Sequence, residues 1–372
     1  MKFTKDLDKL LDNIMEEFGI PGVDLAVWQG GKEVYRKMTG YADMETKEPI
    51  TENTLYNLYS NTKVVTAVAA LQLFEKGEFV LEDKLSRFFP EFKNMMVKMP
   101  DGSLKPAEKE ITIRDLFRMT AGIGEGGEAE YKVIGQKFYM DTKGECPLSL
   151  LPKYIAEAPL FFEPGEKFLY GICYEMLAAL IEKISGLKFS DYLYEHIFKP
   201  LGMKNTAFTL ERTESKALAN QYWYRGKDKP LEVKGAANCL LPPIMKESAS
   251  GGLISSVDDY MKFQAALASG EKLLKRSTIN LMRLNQLEGK QFEGYGYTNI
   301  GMGYGLGVRV IMDQAKLGST VGFGPFGWGG ASGSYGSIDP ENDLVIFYMQ
   351  HVFDTEDVRT HNRIRNVIYA NI

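Results

Sequence analysis

The sequence predicts an α+β protein: an antiparallel β-sheet flanked by helices, with a mostly helical region inserted between its strands. Two observations carry this. Short strand patterns gather near both chain ends, at residues 23–37 and 306–349. Long apolar helical patterns occupy 64–73 and 174–183, while the stretch from about Leu81 to Gly186 holds helix and loop with no comparable strand run.

The elements follow in order. Residues 1–11 form a charged amphipathic helix. Val23–Trp28 and Glu33–Lys37 read as a hairpin closed through Gly30-Gly31, because a tight hairpin turn needs the positive φ that glycine supplies. Thr54–Tyr59 is rich in aromatic and apolar residues and reads as an extended run. Val64, Val65, Val68, Leu71 and Leu73, with Ala67, Ala69 and Ala70, make a helix apolar on most sides and therefore buried. Residues 90–107 and 122–147 read as loops of the kind that shape substrate choice. Tyr174–Lys183 is a helix stopped by Gly186. Leu306–Met312 is a strand; the glycine-dense Phe326–Gly336 then leads through the 337–343 turn into Leu344–Met349 as a hairpin. A helix over 358–370 closes the chain. The division expected is a sheet domain from 1–80 and 187–372, and a helical region over 81–186.

Composition narrows the function. Of 372 residues, 44% are hydrophobic and 12% aromatic, which suits a packed globular chain. Lys and Arg number 44 against 49 Asp and Glu, so 44 − 49 = −5, with no basic patch for nucleic acid or an anionic membrane surface. No run approaches the 18 or so apolar residues of a membrane span. The amphipathic start has no apolar signal core, so the chain as given is expected in the cytoplasm. Cys146, Cys173 and Cys239 are odd in number and far apart, against a disulfide framework. His196, His351 and His361 are too scattered for a metal cage, and neither a metal nor a cofactor is expected. No Gly-x-Ser-x-Gly elbow occurs. Gly-x-Gly-x-x-Gly occurs at 122–127 and 322–327, in neither case after a strand and opening a helix, so no dinucleotide site is read.

Three segments carry chemistry. Ser60-Asn61-Thr62-Lys63 opens the first apolar helix, and a spacing of three places hydroxyl and amine on one helical face. A lysine buried there can shed its proton and activate the serine, taking the place of the histidine in a Ser–His pair. The bland reading is a capping serine beside a surface lysine. Tyr170, after the Pro164-Gly165 turn and just before the 174–183 helix, sits where a helix N-terminus and a nearby lysine would polarise its phenol; otherwise it is an ordinary core aromatic. Trp328-Gly329-Gly330-Ala331 lets a backbone approach a ligand closely and offer it N–H groups; otherwise it is a plain glycine-rich turn. Cys173 lies near Tyr170, where a small hydrophobe at a helix start is the better reading than a nucleophile.

Taken together these segments resemble the serine β-lactamase-like superfamily, and within it the class C β-lactamases and family VIII carboxylesterases. The superfamily pattern is Ser-x-x-Lys, then Tyr-x-Asn or Tyr-Ser-x, then Lys-Thr-Gly, His-x-Gly or Trp-Gly-Gly. Ser60–Lys63, Tyr170-Gly171-Ile172 and Trp328-Gly329-Gly330 match it in order. Ile111–Gly122, Pro200–Thr206 and Ser250–Tyr260 also fit, without chemistry of their own, and the likeness runs from about Phe18 to the last helix.

The resemblance implies a β-lactamase/penicillin-binding transpeptidase-like fold and a serine hydrolase working through an acyl-serine. Ser60 would be the nucleophile, Lys63 and Tyr170 the proton relay, and the N–H groups of Ser60 and Ala331 the oxyanion hole, with Trp328, Gly329 and Gly330 lining the substrate. Ile172 stands where a β-lactamase carries the Asn that holds an amide, and Trp328 where a cation would help hold a carboxylate. The expected activity is therefore cleavage of small-molecule esters. A β-lactamase or D-Ala-D-Ala carboxypeptidase-like amide hydrolase is the alternative, and an acyltransferase or a non-catalytic binder the next. Natural substrate and oligomeric state are not legible.

Overall fold

The computed structural model describes residues 2–124, 129–240 and 247–372. Its centre is a nine-stranded antiparallel sheet built from β1 (Gly22–Gln29), β2 (Lys32–Asp43), β3 (Glu48–Pro49), β6 (Met302–Tyr304), β7 (Arg309–Ile311), β8 (Phe326–Gly327), β9 (Gly329–Gly330), β10 (Ser334–Asp339) and β11 (Leu344–Met349). A separate two-stranded ladder joins β4 (Tyr56–Asn57) to β5 (Ile254–Ser255). The large sheet runs β6-β7-β8-β10-β11-β1-β2-β3, with β9 also paired to β10. Strands from the two chain ends thus meet at β11 and β1, with Ala26 opposite Phe347. Gly30 and Gly31 both have positive φ, at 60° and 68°, as the tight β1–β2 turn requires.

Strand period explains what covers the sheet. Along β11, Leu344, Ile346 and Tyr348 face one side, and Val345, Phe347 and Met349 the other; all six are buried. The first side is covered by α1 (Lys2–Phe18), through Leu7, Leu11, Ile14 and Phe18, and by α6 (Asp357–Tyr369), through Ile364 and Ile368. The second side is covered by α5 (Val257–Ser269), whose Tyr260 ring lies 4.4 Å from that of Phe347. Helices α2 (Thr62–Glu75) and α4 (Cys173–Ser185) pack against each other. Among the described residues no helix is long and apolar enough to cross a membrane.

The sheet, the closing helix and the buried character of α2 match the sequence reading; several details correct it. The 122–147 stretch is not all loop: α3 (Ala129–Asp141) crosses it. Tyr131, Ile134 and Phe138 recur at helical spacing and are buried, and Phe138 packs 4.9 Å from Tyr154. Residues 125–127 of the first Gly-x-Gly-x-x-Gly match lie outside the described residues. The second match runs into β8, not into a helix. Residues 90–107 hold a 3₁₀ turn at Pro90–Phe92 and a small hairpin of Met96–Lys98 with Leu104–Pro106. The first helix extends to Phe18 because the apolar stripe continues through Ile14. Only Tyr56 and Asn57 of the 54–59 run pair as strand, and only Arg309–Ile311 of 306–312.

Candidate active site

Ser60 lies in a 3₁₀ turn, Tyr59–Asn61, that runs directly into α2. Tyr59 is held at φ 46°, a left-handed conformation that costs a non-glycine residue energy. Its phenol bonds Gln221, and its ring packs edge-on 5.4 Å from Phe353. Strain immediately before Ser60 is thus held in place by the surrounding core. The turn brings Ser60 Oγ within 3.4 Å of Lys63 Nζ one turn on.

Lys63 is buried, 4% exposed, which excludes the surface-lysine reading. Its Nζ donates to the Ser250 carbonyl at 2.7 Å and lies 4.6 Å from the centre of the Tyr170 ring. Its partners are a hydroxyl, a carbonyl and an aromatic face. None is an acid, and Lys63 forms no ion pair among the described residues.

Tyr170 stands between the Pro164-Gly165 turn and α4 and is half-buried. Its ring stacks on Trp328 at 5.9 Å and 13°. Trp328 sits between β8 and β9, is itself 7% exposed, and meets Tyr304 edge-on at 5.2 Å. The three sequence-selected segments therefore converge: Ser60 meets Lys63, Lys63 meets Tyr170, and Tyr170 meets Trp328. Gly329 and Gly330 form β9 against β10, and Ala331 is exposed at the turn that follows. A Cβ at Gly330 would lie 2.5 Å from the Leu58 carbonyl oxygen. Only a bare backbone fits there, and it brings β9 against the turn that holds Ser60.

Asn61 fixes that contact. With its amide oriented so that donors meet acceptors, Nδ2 donates to the Trp328 carbonyl at 3.2 Å. Its Oδ1 then accepts from Ser334 Oγ at 2.7 Å and from the Gly330 N–H at 3.2 Å. The Tyr260 hydroxyl donates to the Asn61 carbonyl at 3.2 Å. Asn61, Ser250 and Glu175 were not separable from packing residues in the sequence, because their role rests on partners 73 to 273 positions away. The Ser250–Tyr260 stretch, read as free of chemistry, supplies the carbonyl that holds Lys63. Arg309 also arrives unannounced: its guanidinium lies 5.7 Å from the Trp328 ring and 5.6 Å from Tyr297. It also lies 5.9 Å from the Tyr335 ring, so the cation is packed among three aromatic faces.

The other nucleophile and base readings fall away on geometry. Cys173 is fully buried, and burial pushes its thiol up to about 12. His351 and His361 are buried outside the constellation, and His196 packs 4.3 Å from Tyr192. No cluster of three metal-ligating side chains occurs among the described residues.

A half-buried Ser60 beside the buried Lys63 and the half-buried Tyr170 thus sits on an antiparallel sheet clothed by helices, the architecture of the serine β-lactamase-fold hydrolases. The chain belongs to the beta-lactamase family, whose model matches residues 7–370. Esterase EstB of Burkholderia gladioli is 27% identical over 92% of this chain and 89% of its own length. Protein Rv1367c of Mycobacterium tuberculosis is 29% identical over 90% and 87% respectively. Among solved structures, EstCE1, a hydrolase with promiscuous acyltransferase activity, superposes with a TM-score of 0.81 at 25% identity, covering 99% of this chain and 98% of its own.

Proposed function

We propose that the protein hydrolyses esters of small acyl groups through an acyl-Ser60 intermediate. One observation carries the reading: the Ser60 hydroxyl lies 3.4 Å from a buried Lys63 amine that also packs on Tyr170. Ser60 Oγ attacks the ester carbonyl. Lys63 and Tyr170, acting as one coupled pair, take its proton and deliver it to the leaving alcohol. The N–H groups of Ser60 and Ala331 receive the oxyanion; neither has a hydrogen-bond partner among the described residues, so both are free to donate. Water, activated by the same pair, then cleaves the acyl-serine. An alcohol in place of water would make the reaction a transfer, an activity that EstCE1 carries beside its hydrolysis.

Ester over lactam follows from Ile172, whose apolar side chain offers no partner to a substrate amide. An unpaired buried polar group costs about 1–3 kcal/mol. The stacked rings of Tyr170 and Trp328 suit an apolar acyl or alkoxy group. The test is the ratio of kcat/KM for a short-chain p-nitrophenyl ester to that for a chromogenic cephalosporin. A ratio between about 5 and 150 is expected from that cost. A ratio below one would make the protein a β-lactamase.

A further inference from the structure

Glu175 is a fully buried carboxylate that the reaction scheme does not use. It lies in the first turn of α4, five residues after Tyr170, and forms no ion pair among the described residues. Three donors from one short segment converge on it instead. The Ser248 hydroxyl reaches Oε1 at 2.6 Å, the Ala249 N–H reaches Oε2 at 2.8 Å and the Ser250 N–H reaches Oε1 at 3.0 Å. That segment then turns its carbonyls to α2: Ala249 accepts from the Thr66 hydroxyl at 2.8 Å, and Ser250 accepts from Lys63 Nζ at 2.7 Å. Burial pushes the Glu175 carboxyl above its ordinary range, against three hydrogen bonds that favour the charged form. An acid without a cation is an expensive choice for a core position, and an apolar residue would pack there more cheaply.

We propose that Glu175 is a positioning residue for the acyl-transfer step: it clamps Ser248–Ser250 so that the Ser250 carbonyl holds the Lys63 amine beside Ser60. The proposal rests on the role given to Lys63 above. One carboxylate thereby ties the helix that follows Tyr170 to the segment that orients Lys63, so both members of the relay share a reference point. An amide cannot replace it, because its NH₂ would face a donor in a site where all three partners donate. A relay group misplaced by about 1 Å can lose on the order of 10²-fold in rate.

The experiment compares Glu175→Gln in the wild-type and Lys63→Ala backgrounds, on an activated p-nitrophenyl ester, with Ser60 labelling by a fluorophosphonate in each. Expected is a fall in kcat of about 10²-fold with KM within about threefold, and little further loss when Lys63 is already alanine, because the clamp acts through that amine. A kcat within about threefold of wild type, or an equal loss in both backgrounds, would overturn the proposal. Where Glu175→Gln does not fold, Ser248→Ala removes one donor and keeps the carboxylate. It should lower kcat several-fold at constant KM, and an unchanged kcat would overturn the clamp. Failure of the wild-type protein to label at Ser60 would instead sink the reaction scheme beneath it.

Discussion

The two faces of the sheet are held by different physics. Beneath α1 and α6 the contacts are apolar: Leu7, Leu11 and Ile14 against Leu25, Ile346 and Tyr348. Ion pairs lie at its edges, where Glu17 meets Arg359 and Arg363 and where Lys37 of β2 meets Asp12 of α1. Hydrogen bonds from Arg359 and then Arg363 hold the Glu17 carboxyl below its ordinary range, but such partly exposed pairs add about 1 kcal/mol at most. On the other face, buried polar groups cross between elements. Asn61 ties the Ser60 turn to β9, Glu175 ties α4 to Ser248–Ser250, and Ser250 holds Lys63. Apolar contact fills space without direction, whereas a buried hydrogen bond fixes an angle and a distance. The face that sets the Lys63 amine beside the Ser60 hydroxyl is the face built with directed bonds.

The largest break in this comparison comes from the aimed groups themselves. Lys63→Ala and Tyr170→Phe should each lower kcat by about 10³-fold or more, in the range lost with a general acid or base, while the folded protein persists. His196→Ala, remote from the constellation, should stay within a few-fold. A collapse in His196→Ala without unfolding would point to another base.

The converse break belongs to the apolar face. Ile346→Ala opens a cavity under α1 and α6 and should cost about 2–5 kcal/mol in denaturant unfolding, with kcat per folded molecule unchanged. A loss of kcat without loss of stability would show that this face also aims the site.

A smaller effect sharpens the contrast through pH. Burial lowers His351 and His361 from 6.5 to about 3. The folded chain therefore keeps both neutral between those values, while the unfolded chain protonates them. Stability contributed by their burial is complete above pH 6.5 and declines as pH falls from 6.5 toward 3, with a slope of up to two protons. His351→Leu should flatten that slope in Tm against pH by about one proton; an unchanged slope would mean the ring is protonated in the fold.

The sequence made much of this legible where the signal is local. The period-2 run Leu344–Met349, the glycine pair at 30–31 and the spacing of Ser60 and Lys63 each report geometry within a few residues. Tyr170 and Trp328 became visible as partners only through family resemblance, since nothing local says that their rings stack. The α3 helix stayed hidden because its buried residues, Tyr131, Ile134 and Phe138, sit among Lys132, Lys137 and exposed Met140, which dilute the apolar stripe. Asn61 and Glu175 were hidden for a different reason. A polar residue inside a helical pattern looks the same whether it faces water or buried hydrogen-bond partners, and only the fold distinguishes the two.

The claim beneath all of this is that Ser60 forms a covalent acyl intermediate. The direct measurement is to react the protein with a fluorophosphonate, digest it and locate the adduct by mass. The account predicts one stoichiometric adduct on Ser60, absent in Ser60→Ala, whose kcat falls by about 10⁴-fold or more. An adduct on any other residue, or full activity in Ser60→Ala, would contradict it.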